Sequence, residues 1–137
     1  MHRVLEWEGA GGDRTRIELT LLAPAAMRRL NRRAFGRRAL TDVIAFALPQ
    51  PDGSILGDVY ICPHAAARWV NGRGRRTGEA GRVAEELVRL AVHGTLHVLG
   101  YDHPEGPERV RSAMWRRQER YVRRLRATAR GRRASAR

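Results

Sequence analysis

Lysine is missing altogether from this 137-residue chain: all 27 of its basic residues are arginine, and cysteine occurs once. A lone Cys62 excludes an internal disulfide framework and fits a reduced, cytosolic setting. Nowhere do about 18 apolar residues follow one another, and the start, MHRVLEWEG, holds no apolar run of signal-peptide type. The chain therefore reads as soluble, non-secreted and free of a membrane partner. Acidic residues are scarce too, 14 against the 27 arginines, which leaves a net charge of +13 and a pI of about 11.6. What is present in quantity is apolar: 42% hydrophobic content excludes a fully disordered chain, and the length is that of one ordinary domain. Arginine in place of lysine has a bland source in a GC-rich genome. Charge of this size attracts a polyanion whatever its origin, and nucleic acid is the first candidate.

The pattern along the chain predicts an α+β domain with helices packed on a small antiparallel or mixed sheet. Arg3 to Glu8 and Arg16 to Leu22 read as strands. In the second, Ile17, Leu19 and Leu21 alternate with Glu18 and Thr20, and GAGGD between the two is a hairpin-type loop. Pro24 opens a short helix over Ala25 to Phe35 that Gly36 ends. Asp42 to Leu48 and Ile55 to Cys62 are runs of strand formers separated by PQPDGS, which is turn chemistry. Pro63 to Val70 suits a short helix, and NGRGRRTGEAG a flexible basic loop. Glu79 to Leu99 carries Val83, Leu87, Leu90, Ala91 and Val98 at helical spacing, and Gly100 stops it. A last helix is predicted from Pro104 to about Arg126, with Val110, Met114, Tyr121 and Leu125 facing inward. Residues 1–126 then form a single catalytic domain, and 127–137, ATARGRRASAR, a basic disordered tail.

Three of the five histidines fall inside HGTLHVLGYDH, residues 93–103. His93 and His97 are four apart on a predicted helix, so both project from one face, one turn apart. Gly100 breaks that helix, and His103, before Pro104, returns in extended conformation. Two ligands on a helix and one on the following turn make three corners of a tetrahedron. The fourth corner stays open, as in catalytic zinc sites, where the ion brings the pKa of a water to about 7. Zinc, as one ion, comes first because imidazoles suit it, while nickel, copper and iron remain open from the ligands alone. The peptidase motif of this shape carries a glutamate base where this chain has Gly94. Glycine inside a helix costs about 1 kcal/mol against alanine. Either it makes room for a substrate or backbone at the metal, or it relieves packing against a strand.

These residues carry a resemblance. HGTLHVLGYDH resembles the signature of the YbeY family of bacterial endoribonucleases, LNRRAFGRRALTDVIAF (Leu30 to Phe46) is similar to that family's T-D-V segment, and ILGDVYICP (Ile55 to Pro63) to its L-G-D strand. The resemblance implies a zincin-like α+β fold, with zinc held by His93, His97 and His103. It also implies a single-strand-specific endoribonuclease acting in 16S rRNA 3′-end maturation and ribosome quality control, in company with small-subunit proteins and an assembly GTPase. Three positions depart from the family pattern: Phe35 stands where members carry an arginine, Leu40 where they carry proline, and Ala45 where they carry serine.

Further candidates are weaker. Asp102 is placed either to accept a hydrogen bond from a ligand imidazole or to cap the last helix. Asp58 interrupts an apolar strand and points either to the site or to solvent. Glu86 lies seven residues before His93 on the same helical face, where it either supports the site or pairs with Arg82 or Arg89. Cys62 reads as a small buried hydrophobe, and His2 and His64 as non-ligands. The arginine clusters, Arg32, Arg33, Arg37 and Arg38 first among them, are candidates for contacting ribosomal RNA. Trp69, Trp115 and Tyr101 suit either base stacking or the core. The sequence thus points to a cytoplasmic, metal-dependent endoribonuclease. Its rivals are a non-catalytic RNA-binding assembly factor with structural zinc and, against the charge and Gly94, a zincin-type peptidase. No residue in it identifies the general base.

Overall fold

The computed structural model describes residues 1–72 and 79–136. Most of the expected basic loop, with Arg73, Arg75 and Arg76, lies outside the described residues. The elements run α1 (His2–Trp7), β1 (Thr15–Leu21), α2 (Pro24–Phe35), β2 (Val43–Pro49), β3 (Ile55–Ile61), α3 (Pro63–Asn71), α4 (Glu79–Val98) and α5 (Ala113–Ser135), with short 3-10 turns at Gly12–Arg14 and Gly106–Arg111. The strands pair in the order β1-β3-β2, β1 parallel and β2 antiparallel to β3. The sheet is therefore mixed, as the sequence predicts, and the parallel pair requires the crossover that α2 begins.

Alternation along the strands sorts the side chains to two faces. On one face Ile17, Leu19, Val59 and Ile61 pack with Leu87, Leu90 and Val98 of α4. On the other, Ile44, Phe46 and Tyr60 meet Met27 and Leu30 of α2, with Cys62 buried among them. A third layer forms where Val4 of α1 and Met114, Tyr121 and Val122 of α5 cover Val92 and Leu96 on the outer side of α4. So α4 is enclosed between the sheet and two helices.

That layer explains the first correction. The segment expected as a strand from Arg3 to Glu8 is helical instead, α1 with Glu8 as its C-cap, because Val4 and Trp7, three apart, reach the α4–α5 cluster from one helical face. The last helix also differs. It begins at Ala113, where Ser112 caps it by accepting a hydrogen bond from the Trp115 amide at 3.1 Å. The stretch from Pro104 is extended and then a 3-10 turn, which leaves Val110 exposed rather than inward. Finally, α5 runs on to Ser135 through the segment expected to be disordered. Alanine and arginine there are good helix formers, and a preceding helix of this length removes the cost of nucleation.

Candidate metal centre

The end of α4 is built to bring the third histidine back. Gly100, at φ +91, donates its amide to His97 O at 3.0 Å, and the Tyr101 amide reaches Leu96 O at 3.0 Å. This is a Schellman turn, and the left-handed residue in it must lack a Cβ to avoid strain. The chain doubles back over the last turn of the helix and sets His103 against His93 and His97.

The three Nε2 atoms lie 3.1, 3.3 and 3.3 Å apart. A zinc ion with nitrogens at about 2.0–2.1 Å spaces tetrahedral ligands about 3.3–3.4 Å from one another, so the cluster could hold such an ion. Among the described residues these are the ones whose ligand atoms converge in this way. Each ring is also turned correctly. His93 Nδ1 donates to Gln118 Oε1 at 2.7 Å, His97 Nδ1 to Tyr101 O at 3.0 Å, and His103 Nδ1 to Pro104 O at 2.9 Å. A carbonyl oxygen can only accept, so each Nδ1 carries the proton and each Nε2 keeps its lone pair for a metal. Gln118 is itself fixed, since its Nε2 donates to Glu119 Oε1 at 3.1 Å. Burial lowers the His93 pKa to about 4 against the opposing bond to Gln118, and burial with the neighbouring His103 lowers that of His97. Neutral imidazole is the form that binds metal.

Gly94 now has a reason. A Cβ added there would stand 2.5 Å from Val59 Cγ1, and one added at Gly57 of β3 would stand 2.5 Å from Val98 Cγ1. The two glycines let α4 and β3 interlock, each taking the valine of the other. Of the two explanations the sequence leaves open, packing against a strand is the one realised.

The cluster opens into a groove of about 670 Å³ whose lining includes Asn31, Phe35, Arg37, Asp42, the edge strand β2 and Arg109. A second cavity of about 370 Å³ adjoins it, sharing Asp42, Val43, His93 and Arg109 and walled further by Trp69, Trp115 and Gln118. Burial raises the pKa of Asp42, with its own amide and then Arg109 opposing. The Arg109 guanidinium also lies 5.6 Å over the Trp115 ring.

The weaker candidates divide. Asp102 lines the groove, but its carboxylate accepts from the His103 amide at 2.8 Å rather than from an imidazole, and α5 is capped by Ser112 instead. Asp58 belongs to the sheet face opposite α4, beside Tyr60, whose pKa is raised by burial first and then by the Asp58 charge. The structure therefore does not bring Asp58 to the histidines. Glu86 pairs with Arg89 at 2.7 Å, within a group that also holds Glu85 and Glu119. His2 pairs with Glu6. Arg37 lines the groove and bridges to Glu105 at 3.1 Å, while Arg32, Arg33 and Arg38 are exposed beside it. Trp69, 46% exposed, and Trp115 line the second cavity. Tyr101 belongs to the core, its hydroxyl donating to Glu8 at 2.7 Å.

Sequence reasoning missed Asp42, Arg109 and Gln118. Gln118 had a signal, because it falls on the inward stripe of Met114 and Tyr121 as a polar residue among apolar ones. Asp42 stood inside a quoted motif. Arg109 had none, since its turn was read as helix.

The comparisons agree with this geometry. The family model described as endoribonuclease YbeY matches residues 2–126. Relatives called Endoribonuclease YbeY include that of Moorella thermoacetica, 42% identical over 70% of this chain and 64% of its own length. That of Anaeromyxobacter sp. (strain Fw109-5) is 44% identical over 64% of this chain and 43% of its own length. The match thus spans less than two thirds of either relative. The solution structure of TM1509 from Thermotoga maritima has the same fold, with a TM-score of 0.63 and 24% identity over 95% of this chain and 79% of that one. No helix among the described residues is long and apolar enough to cross a membrane. With the family model covering nearly the whole chain and the histidine signature folded into a three-nitrogen cluster, the chain belongs to the endoribonuclease YbeY family.

Proposed function

We propose that this protein is a cytoplasmic, metal-dependent endoribonuclease that cuts single-stranded regions of ribosomal RNA, in 16S rRNA 3′-end maturation and ribosome quality control. Its partners on this reading are small-subunit proteins and an assembly GTPase. The observation that carries it is the cluster of three lone-pair nitrogens facing a groove that also holds Arg37 and Arg109. When bound at His93, His97 and His103, the ion, zinc first among candidates, supplies Lewis acidity to the scissile phosphate and acidifies a water.

The chain's own residues supply the rest. Arg37 and Arg109 attract the phosphodiester and set it against the histidines. Asp42 lines the groove with its carboxyl held above the ordinary range, which suits it to take a proton at its carboxylate oxygen from the attacking hydroxyl. The peptidase alternative has no base in its usual place, because position 94 is filled by the contact with Val59.

One assay tests this: cleavage of a single-stranded rRNA fragment by the wild type, by His97→Ala, and by the wild type with chelator. The last two should lose on the order of 100-fold or more in rate. Equal cutting by all three sinks the nuclease reading, and so does persistent RNA binding with no cutting by any. Product ends add a further discrimination, since 2′,3′-cyclic phosphates would show that the RNA 2′-hydroxyl, not water, is the nucleophile.

A further inference from the structure

Phe35 ends α2 with its side chain 52% exposed, an unusual position for phenylalanine. It is not a stray ring. Its plane lies 9° from that of Phe46, with centroids 6.0 Å apart, and Phe46 in turn meets Tyr60 edge-on at 6.1 Å. The three rings form a column that begins against the sheet and reaches the wall of the groove that holds His93, His97 and His103. The column is held in place. Gly36 donates its amide to Arg32 O at 3.0 Å to close the helix, and buried Asn31 donates from Nδ2 to Ala39 O at 2.8 Å, fixing the loop that follows.

The groove therefore presents a rigid aromatic face, two arginines and a three-nitrogen cluster together. A polyanion matches the arginines, and a flat, unpaired base matches the ring, since base–aromatic stacking works for any base that has left its own helix. We propose that Phe35 is the stacking platform for one unpaired nucleobase of the RNA, next to the phosphodiester set at the histidines. The proposal rests on the endoribonuclease reading for the identity of the ligand. It assigns the preference for single strands to a named residue, because a paired base would have to leave its stack to lie on this ring. Phe46 and Tyr60 support the platform from behind, and Arg37 and Arg109 hold the flanking phosphates.

The test is equilibrium binding, by fluorescence anisotropy, of a short 2′-O-methyl single-stranded oligonucleotide that cannot be cut through its 2′-hydroxyl. Wild type is compared with Phe35→Ala, Phe35→Leu and Phe35→Trp. Thermal melts show whether each variant is folded, and the exposed position makes that the expected result. Phe35→Ala and Phe35→Leu should bind about 5- to 100-fold more weakly, while Phe35→Trp keeps wild-type affinity or improves on it. An abasic site walked along the oligonucleotide should weaken wild-type binding by a similar factor at one position, and at that position should cost Phe35→Ala nothing more. Wild-type affinity in Phe35→Ala, or an abasic penalty that is as large in Phe35→Ala as in the wild type at every position, overturns the proposal. So does equal loss of affinity for a blunt duplex. Because the readout is binding, a wild type that stacks but never cuts would refute the nuclease reading alone. A wild type that cuts while Phe35→Ala binds unchanged would refute the stacking alone.

Discussion

Replacing Gln118 with leucine keeps a buried side chain of similar size but removes the oxygen that accepts from His93 Nδ1. The imidazole is then free to turn and to change tautomer. Zinc affinity, measured by competition with a chromophoric chelator, should fall about 10- to 100-fold in Gln118→Leu and recover in Gln118→Glu, which restores an acceptor. Asp42→Asn should behave in the opposite way. Its carboxylate takes no part in the cluster of ligand atoms, so zinc affinity should stay at the wild-type value while RNA cleavage falls about 10²- to 10⁴-fold if it takes the proton. Equal effects of both changes on zinc would place Asp42 in support of the metal instead. Phe35 shows how a single departure from a family pattern gains meaning only in three dimensions. Against the pattern that the resemblance implies it is an arginine lost; in the fold it is an aromatic wall beside the histidines.

Gly94 and Gly57 let α4 lie close against β3. Gly94→Ala adds a methyl into Val59. The gain in helix propensity, about 1 kcal/mol, competes with overpacking of about 1–3 kcal/mol, and the 2.5 Å contact decides for the latter. A melting temperature lower by several degrees is expected, with partial recovery in the Gly94→Ala, Val59→Ala double variant. Simple additivity of the two changes would deny the contact. Elements of this kind were the most legible part of the chain. The course of α4 followed from apolar spacing and the stop at Gly100, and β2 and β3 from their β-branched runs. What the sequence hid depended on packing over distance. Six residues of α1 hold too few apolar positions to separate a helical period from a strand period. The start of α5 was hidden because Pro104 offers a helix start as good locally as Ser112 does. For the site, spacing sufficed to find the histidines, because two sit on one helix and the third follows one turn later. Their surroundings did not follow from that spacing: Gln118 comes from α5 and Asp42 from the lead into the edge strand, so a polar residue on an apolar stripe and a motif aspartate could be seen but not placed beside the histidines.

Across the whole molecule, one carboxylate ties distant parts of the chain together. Glu8, at the end of α1, accepts hydrogen bonds from the hydroxyls of Tyr101 and Tyr121 and from Arg117. Burial pushes its pKa up, but those three bonds outweigh the effect and hold it below the ordinary 4.5. A folded value below the unfolded one stabilises the protein fully above about pH 4.5 and loses that contribution as pH falls through the folded value. Acid unfolding followed by circular dichroism should therefore depend less on pH in Glu8→Gln than in the wild type below pH 4.5, and Glu8→Gln should be the less stable of the two at neutral pH. Parallel acid limbs would remove Glu8 from the balance. The same connections have a consequence in time. Glu8 leaves the ribosome long before Tyr101, Arg117 and Tyr121, and His93 before Gln118, 25 residues later. At about 5–20 residues per second, His93 exists for roughly one to five seconds before the side chain that orients it. Synthesis thus withholds the finished histidine cluster until α5 has emerged and docked.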